Sequence, residues 1–181
     1  MKKLFLKTII LISFISFSPA FAQPIKNNIA DAKFFLGLGA GLDYGGIGLR
    51  ASYAATKNIS AFGGAGYNLL EPAYNIGMMY KFIPHKKISP TVLAMYGYNA
   101  VIKITDRRDL SKTYYGFTVG AGCHIKNRSL KNNWAFEILL PFRNSSFTKD
   151  YNYWESSLKN KILPVTITIG RNFALKKINK K

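Results

Sequence analysis

The sequence predicts an all-β fold: an eight-stranded antiparallel up-and-down transmembrane β-barrel that follows a cleaved signal peptide. Three observations predict it. An export signal stands at the start of the chain. Segments of about 8–12 residues then recur between turn signals. Within those segments large apolar side chains alternate with glycine, hydroxyl and amide residues, the period of a strand with two different faces.

Lys2, Lys3 and Lys7 form a positive leader, and Thr8 to Phe17 follow as an apolar run. Such a run suits a signal peptide and falls short of the roughly 20 residues a spanning helix needs. Ala20-Phe21-Ala22 matches the small-x-small cleavage pattern, so cleavage is expected after Ala22. Residues 1–22 are then a signal peptide, 23–175 the barrel and 176–181 a basic tail.

The strands are expected at 33–42, 46–54, 59–69, 74–83, 91–104, 114–126, 134–143 and 162–175. The first places Phe34, Leu36, Leu38, Ala40 and Leu42 opposite Gly37, Gly39 and Gly41. The second sets Ile47, Leu49, Ala51 and Tyr53 against Gly48, Arg50 and Ser52, and the third is weaker, since Phe62 points to the polar side. The fourth sets Tyr74, Ile76, Met78, Tyr80 and Phe82 against Asn75, Gly77, Met79 and Lys81. The fifth fits least well: Tyr96 and Tyr98 fall near mid-depth on the apolar face, while Leu93, Met95 and Val101 occupy the other. The sixth sets Tyr115, Phe117, Val119, Ala121, Cys123 and Ile125 against small residues and His124. The seventh opposes Trp134, Phe136, Ile138, Leu140 and Phe142 to Glu137 and Arg143, and the eighth opposes Leu163, Val165, Ile167, Ile169 and Phe173 to Thr166, Thr168, Gly170 and Asn172. Gly, Pro, Asn and Asp punctuate the intervals, including Asp43-Tyr44-Gly45-Gly46 and the long polar stretch Asn144 to Lys161. No helix is expected in the mature chain.

Alternation alone fits two architectures. A soluble exported barrel turns its apolar face inward around an apolar ligand; a membrane barrel turns it outward. Here the opposite face is mostly glycine and hydroxyl, which suits a narrow eight-stranded lumen and not a surface facing water. With the N-terminus periplasmic, Phe34, Tyr53, Phe82, Trp134 and Phe173 fall on the lipid face near one rim, and Tyr67, Tyr74, Tyr115 and Phe142 near the other. Aromatic girdles at both interfaces are a property of membrane barrels.

The formal net charge is +18, and without the three leader lysines it is about +15. The basic residues gather in inferred turns and at the C-terminus, which points to outer-membrane lipid or lipopolysaccharide phosphates and away from nucleic acid. One cysteine, Cys123, excludes an internal disulfide; its place on the apolar face makes it a small lipid-facing residue.

With its signal peptide, its eight amphipathic strands, the glycine-rich run Phe35 to Gly41 and the final strand Leu163 to Phe173, the chain resembles the small outer-membrane β-barrel proteins of the OmpA/OmpX-like type. The resemblance covers residues 23 to 175 and implies residence in the cell outer membrane and insertion by the barrel assembly machinery. Such barrels commonly end on an aromatic residue that this machinery reads. Here Phe173 is followed by Ala174-Leu175 and the basic tail.

The resemblance carries no catalytic residues, and neither does the sequence. His85 lies in an inferred turn and His124 faces in, neither beside a serine and an acid, so no catalytic triad is expected and a lipid-modifying barrel enzyme stands only as the last alternative. No metal or cofactor is expected: two separated histidines do not make a ligand set. The inward charges are Arg50, Lys81, Lys103, Glu137 and Arg143. A lone carboxylate in a narrow lumen is costly, so Glu137 is expected to pair with Arg50 across it, as a polar plug or as the gate of a small pore. The stretch 144–161 carries Phe147, Tyr151, Tyr153 and Trp154 and is either an extracellular contact surface or a loop that folds over the barrel mouth or extends strands seven and eight. The functional expectation is a structural, adhesion or binding barrel.

Overall fold

The computed structural model describes residues 33–102, 111–127, 132–154 and 163–175. The segment 1–22, Lys103 and the tail 176–181 lie outside them. Among the described residues run β1 (Phe34–Gly41), β2 (Gly46–Ala54), β3 (Ile59–Tyr67), β4 (Pro72–Lys81), β5 (Ile88–Ile102), β6 (Lys112–Lys126), β7 (Asn133–Pro141), one helix α1 (Ser145–Trp154) and β8 (Thr166–Leu175). Each strand pairs antiparallel with the next, and β8 closes on β1 from Phe34↔Leu175 to Ala40↔Ile169. Closure satisfies the ladder all round and leaves no sheet edge.

The two faces fall as the membrane alternative requires. Leu49 is 47% exposed, Ile76 67% and Ile167 74%, all pointing away from the axis. In the same strands Arg50, Asn75 and Thr168 are buried. A water-soluble carrier would need those three aliphatic side chains to converge inside, so that alternative is overturned. An apolar surface running right round a barrel far exceeds the patch size soluble monomers expose.

The start of β1 and the end of β8 share one end of the barrel, here the terminus end. Its connections, 55–58, 82–87 and 127–132, are short. The opposite, loop end carries the long connections 103–111 and 142–165. Local chemistry sets the tight turns. Thr56 Oγ1 accepts from the backbone N–H of Asn58 and Ile59 at 3.2 and 2.9 Å. Asn68 Oδ1 accepts from Leu70 and Glu71 at 3.0 and 2.9 Å.

Three differences from the sequence expectation have physical causes. First, β5 and β6 are the longest strands at 15 residues each and project past their neighbours at the loop end. A bulge between Tyr98 and Ala100, preceded by Gly97 at φ 150°, shifts the alternation there. It turns Tyr98 inward, where it is buried, and not toward lipid as strict alternation places it. Second, residues 145–154 are helical. Asn144 caps α1 by accepting from the Phe147 N–H at 2.8 Å. Phe147, Tyr151 and Trp154 recur at i, i+4 and i+7, one face of a helix. Third, Leu42–Tyr44 form a 3₁₀ turn that folds into the lumen and is fully buried.

Candidate functional site

The inward turn is the centre of the lumen. Gly41 at φ 144° and Gly45 at φ 69° bend the chain in and out of it, conformations a side chain would resist. Tyr44 lies across the glycine stripe of β1 and β8: a methyl group added at Gly39 would stand 2.7 Å from its ring, and one at Gly170 would collide with its hydroxyl. On the other side, Gly48, Gly64 and Gly66 make room for the backbone of Asp43 and Tyr44. The glycine alternation visible in the sequence is therefore the mould of one inserted turn. The Tyr44 hydroxyl donates to Asn172 Oδ1 at 3.3 Å, and the Asn75 side-chain amide donates to the Leu42 carbonyl.

Arg50 of β2 sits at the middle of this packing, 1% exposed. Its Nη1 donates to Asp43 Oδ2 and reaches both oxygens of Glu137 at 3.3 and 3.2 Å. Its guanidinium lies 4.7 Å from the centre of the Tyr44 ring and 5.5 Å from that of Phe62. His124 Nε2 lies 3.2 Å from Glu137 Oε1. Two carboxylates around one guanidinium leave a formal excess of one negative charge. Lys81 offsets it: with Arg50 and His124 it lines a cavity of about 10 Å³, the size of one water. Arg50 Nε and Ser60 Oγ, both without a protein partner, line the same cavity and suit such a water. The rest of the lumen mixes buried hydroxyl and amide side chains, among them Thr91, Thr118 and Thr168, with an apolar cluster. Phe62, Met79, Leu93, Met95 and Leu139 are buried together there, which explains why the third and fifth strands carry bulky residues on the inward face.

The structure therefore brings Arg50 and Glu137 together and sets Lys81 beside them, with its ammonium 5.4 Å from the Phe35 ring centre. Asp43 and Tyr44 join the cluster, although turn chemistry suggests a solvated loop. Arg143 does not join it. It lies beyond the end of β7 at the loop end, donates to the Leu163 carbonyl and stacks 5.0 Å over Phe147, because β7 stops at Pro141. His85 is exposed in its turn. Among the described residues no group of three or more His, Cys, Asp or Glu side chains is arranged to hold a metal ion.

The loop end forms a platform. Phe147 is buried against Ala100, Ile102 and Tyr114, with Tyr151 and Trp154 packed alongside. Tyr114 meets Phe147 edge to face at 5.2 Å, and its hydroxyl donates to Asp150 Oδ2 at 2.6 Å. Lys112 Nζ reaches the same oxygen at 3.1 Å. These two donors hold the Asp150 carboxyl below its ordinary value, the Tyr114 hydrogen bond first. Of the four aromatics expected as contacts, Phe147 is core, Tyr151 and Trp154 are half-buried, and Tyr153 is 76% exposed. Beside the platform a hollow of about 550 Å³ opens between Leu42, Tyr98, Ala100, Arg143 and Val165.

The expected girdles occupy the outward face. At the terminus end Phe34 packs on Tyr53 at 4.9 Å, with Phe82 and Trp134 exposed and Phe173 half-buried. At the loop end Tyr74 packs on Tyr115 at 5.2 Å, with Tyr67 and Phe142 exposed.

No protein-family model and no curated protein matches the chain. Among solved structures it is similar to the N-terminal β-barrel domain of OprF from Pseudomonas aeruginosa, with 11% identity and a TM-score of 0.46 over 77% of this chain and 95% of that one. On its own coordinates the chain is a closed eight-stranded up-and-down barrel, apolar outside and filled within by side chains and the inserted turn.

Proposed function

We propose that the protein is an exported outer-membrane barrel whose lumen is sealed to ions, with a structural or binding role centred on its loop end and no catalytic step. The inserted turn carries this reading: Tyr44 and Asp43 are 0% exposed and Arg50 and Glu137 1%, so the axis is occupied by side chains tied to three separate elements. Eight strands leave room for little more than side chains in any case. The short connections at the terminus end and long ones at the loop end favour a periplasmic terminus end, the usual disposition of bacterial barrels. The platform of α1 on β5 and β6, with Tyr153 and the neighbouring hollow, is then the surface offered outside the cell.

The test uses the full chain folded into lipid. The protein should resist SDS unheated, shift its migration on boiling, and give no stepwise conductance in planar bilayers. Steady single-channel steps that change on Glu137→Gln would replace the plug with a gate.

A further inference from the structure

One charge breaks the apolar exterior. Among the described residues Arg171 is the single ionisable Lys, Arg, Asp or Glu side chain on the outward face of the strands, where it pairs with Leu38 of β1 and Trp134 of β7. An arginine on the lipid face is costly near the midplane and nearly free at the headgroup level. Arg171 is held at that level. Its guanidinium lies 5.5 Å from the Trp134 ring centre and 5.3 Å from that of Phe173, two members of the terminus-end girdle. It is exposed, and among the described residues no carboxylate partners it. The other described charges near this rim are Lys33, Lys57, Lys81, Lys86, Lys87 and Lys126, all positive. The described carboxylates lie elsewhere: Asp43 and Glu137 in the lumen, Glu71 and Asp150 at the loop end.

We propose that Arg171, framed by Trp134 and Phe173, is a binding site for the phosphate of an anionic phospholipid in the leaflet at the terminus end. The chemistry is complementary. A guanidinium offers a fork of donors that matches phosphate oxygens, and the aromatic faces fix its plane while covering its apolar stem. The girdle rings sit where a lipid glycerol and headgroup lie, so a phosphodiester reaches the fork without leaving the bilayer. Arg171 fixes the position of one such molecule against the girdle. This site rests on the reading of the chain as a membrane barrel.

The experiment uses the full chain carrying Trp154→Phe, which leaves Trp134 as its one tryptophan. It is folded into vesicles of phosphatidylcholine and phosphatidylglycerol in which one lipid or the other is brominated. Quenching of Trp134 reports which lipid occupies its boundary. The expected result is a preference for phosphatidylglycerol of about fivefold, the equivalent of one cationic side chain at a membrane surface. Arg171→Gln should bring the preference to parity while the barrel still shifts on boiling; Lys57→Gln should leave it in place. A preference that survives Arg171→Gln, or that Lys57→Gln lowers equally, overturns the site in favour of diffuse rim charge. Loss of the preference on adding inorganic phosphate at constant ionic strength overturns the lipid assignment in favour of a dissolved anion. Failure of the parent protein to insert and shift on boiling would instead remove the membrane reading itself.

Discussion

Gly39 and Gly63 are both strand glycines, yet a methyl group would do opposite things at the two positions. At Gly39 it would stand 2.7 Å from the Tyr44 ring and from the Ile169 carbonyl; at Gly63 the nearest atom is the Asn75 carbonyl oxygen at 3.8 Å. Gly39→Ala is therefore expected to destabilise the barrel by about 1–3 kcal/mol through overpacking, whereas Gly63→Ala gains about 0.5–1 kcal/mol from the lost flexibility of the unfolded chain. Urea unfolding from lipid vesicles, followed by tryptophan fluorescence, separates them. At Arg50 the issue is charge. Glu137→Gln leaves Arg50 with Asp43 as its carboxylate partner and removes the negative charge beside His124. The expected loss is about 3 kcal/mol, the low end for breaking a buried ion pair because Asp43 remains. A double-mutant cycle with Arg50→Gln should show coupling above about 0.5 kcal/mol. The meeting of Arg50 and Glu137 is legible in the sequence, since alternation turns both inward and a lone buried carboxylate is costly. Asp43 is not legible, because Asp-Tyr-Gly-Gly reads equally as a solvated hairpin turn. The available signal was the glycines of β1, β2, β3 and β8, which leave more room than one layer of lumen side chains needs.

The element that the sequence hid is α1. Its ten residues are polar and aromatic, SSFTKDYNYW, with no aliphatic side chain to mark a core face. The helical signal was the Asn144 cap and the aromatic spacing 147, 151 and 154, which a scan for strand alternation passes over. Most of the hold on α1 comes from packing on the extended ends of β5 and β6, since one ten-residue helix is marginal alone. Asn144→Ala should cost about 1 kcal/mol and loosen the helix before the barrel, seen as loss of aromatic circular dichroism with the unheated gel mobility intact. The Asp150 contact adds a pH dependence of definite sign. Its carboxyl is depressed in the folded state by Tyr114 and Lys112, so its stabilisation is complete above the ordinary aspartate value and is lost as pH falls through the depressed one. Acid titration of Trp154 fluorescence in a Trp134→Phe background should show undocking only below the ordinary aspartate range. Tyr114→Phe should shift that transition upward in pH. β5 escaped alternation for a different reason: Gly97 and the bulge at Asn99 break the period of two from Tyr98 to Ile102.

At the scale of the whole molecule, the strand number, their order and the side each face takes were readable because one rule, period two with bulky residues on one face, holds through most of the strands. The ends were less readable. β4 starts at Pro72 and β5 at Ile88, residues that turn chemistry assigns to loops, because a proline is tolerated near the start of a strand where its missing N–H faces away from a ladder partner. The account stands on an exterior built of Leu, Ile and aromatic side chains around an interior filled by one inserted turn. The most direct test places nitroxide labels, in a Cys123→Ser background, at Leu38, Ile76 and Ile138 on the outer face and at Ser52 on the inner one, in protein folded into lipid vesicles. The account predicts that the three outer labels collide readily with oxygen and poorly with a water-soluble nickel complex, while the label at Ser52 is shielded from oxygen in the bilayer. Outer labels that meet the nickel complex freely, with the label at Ser52 alone reporting an oxygen-rich apolar surrounding, would contradict it.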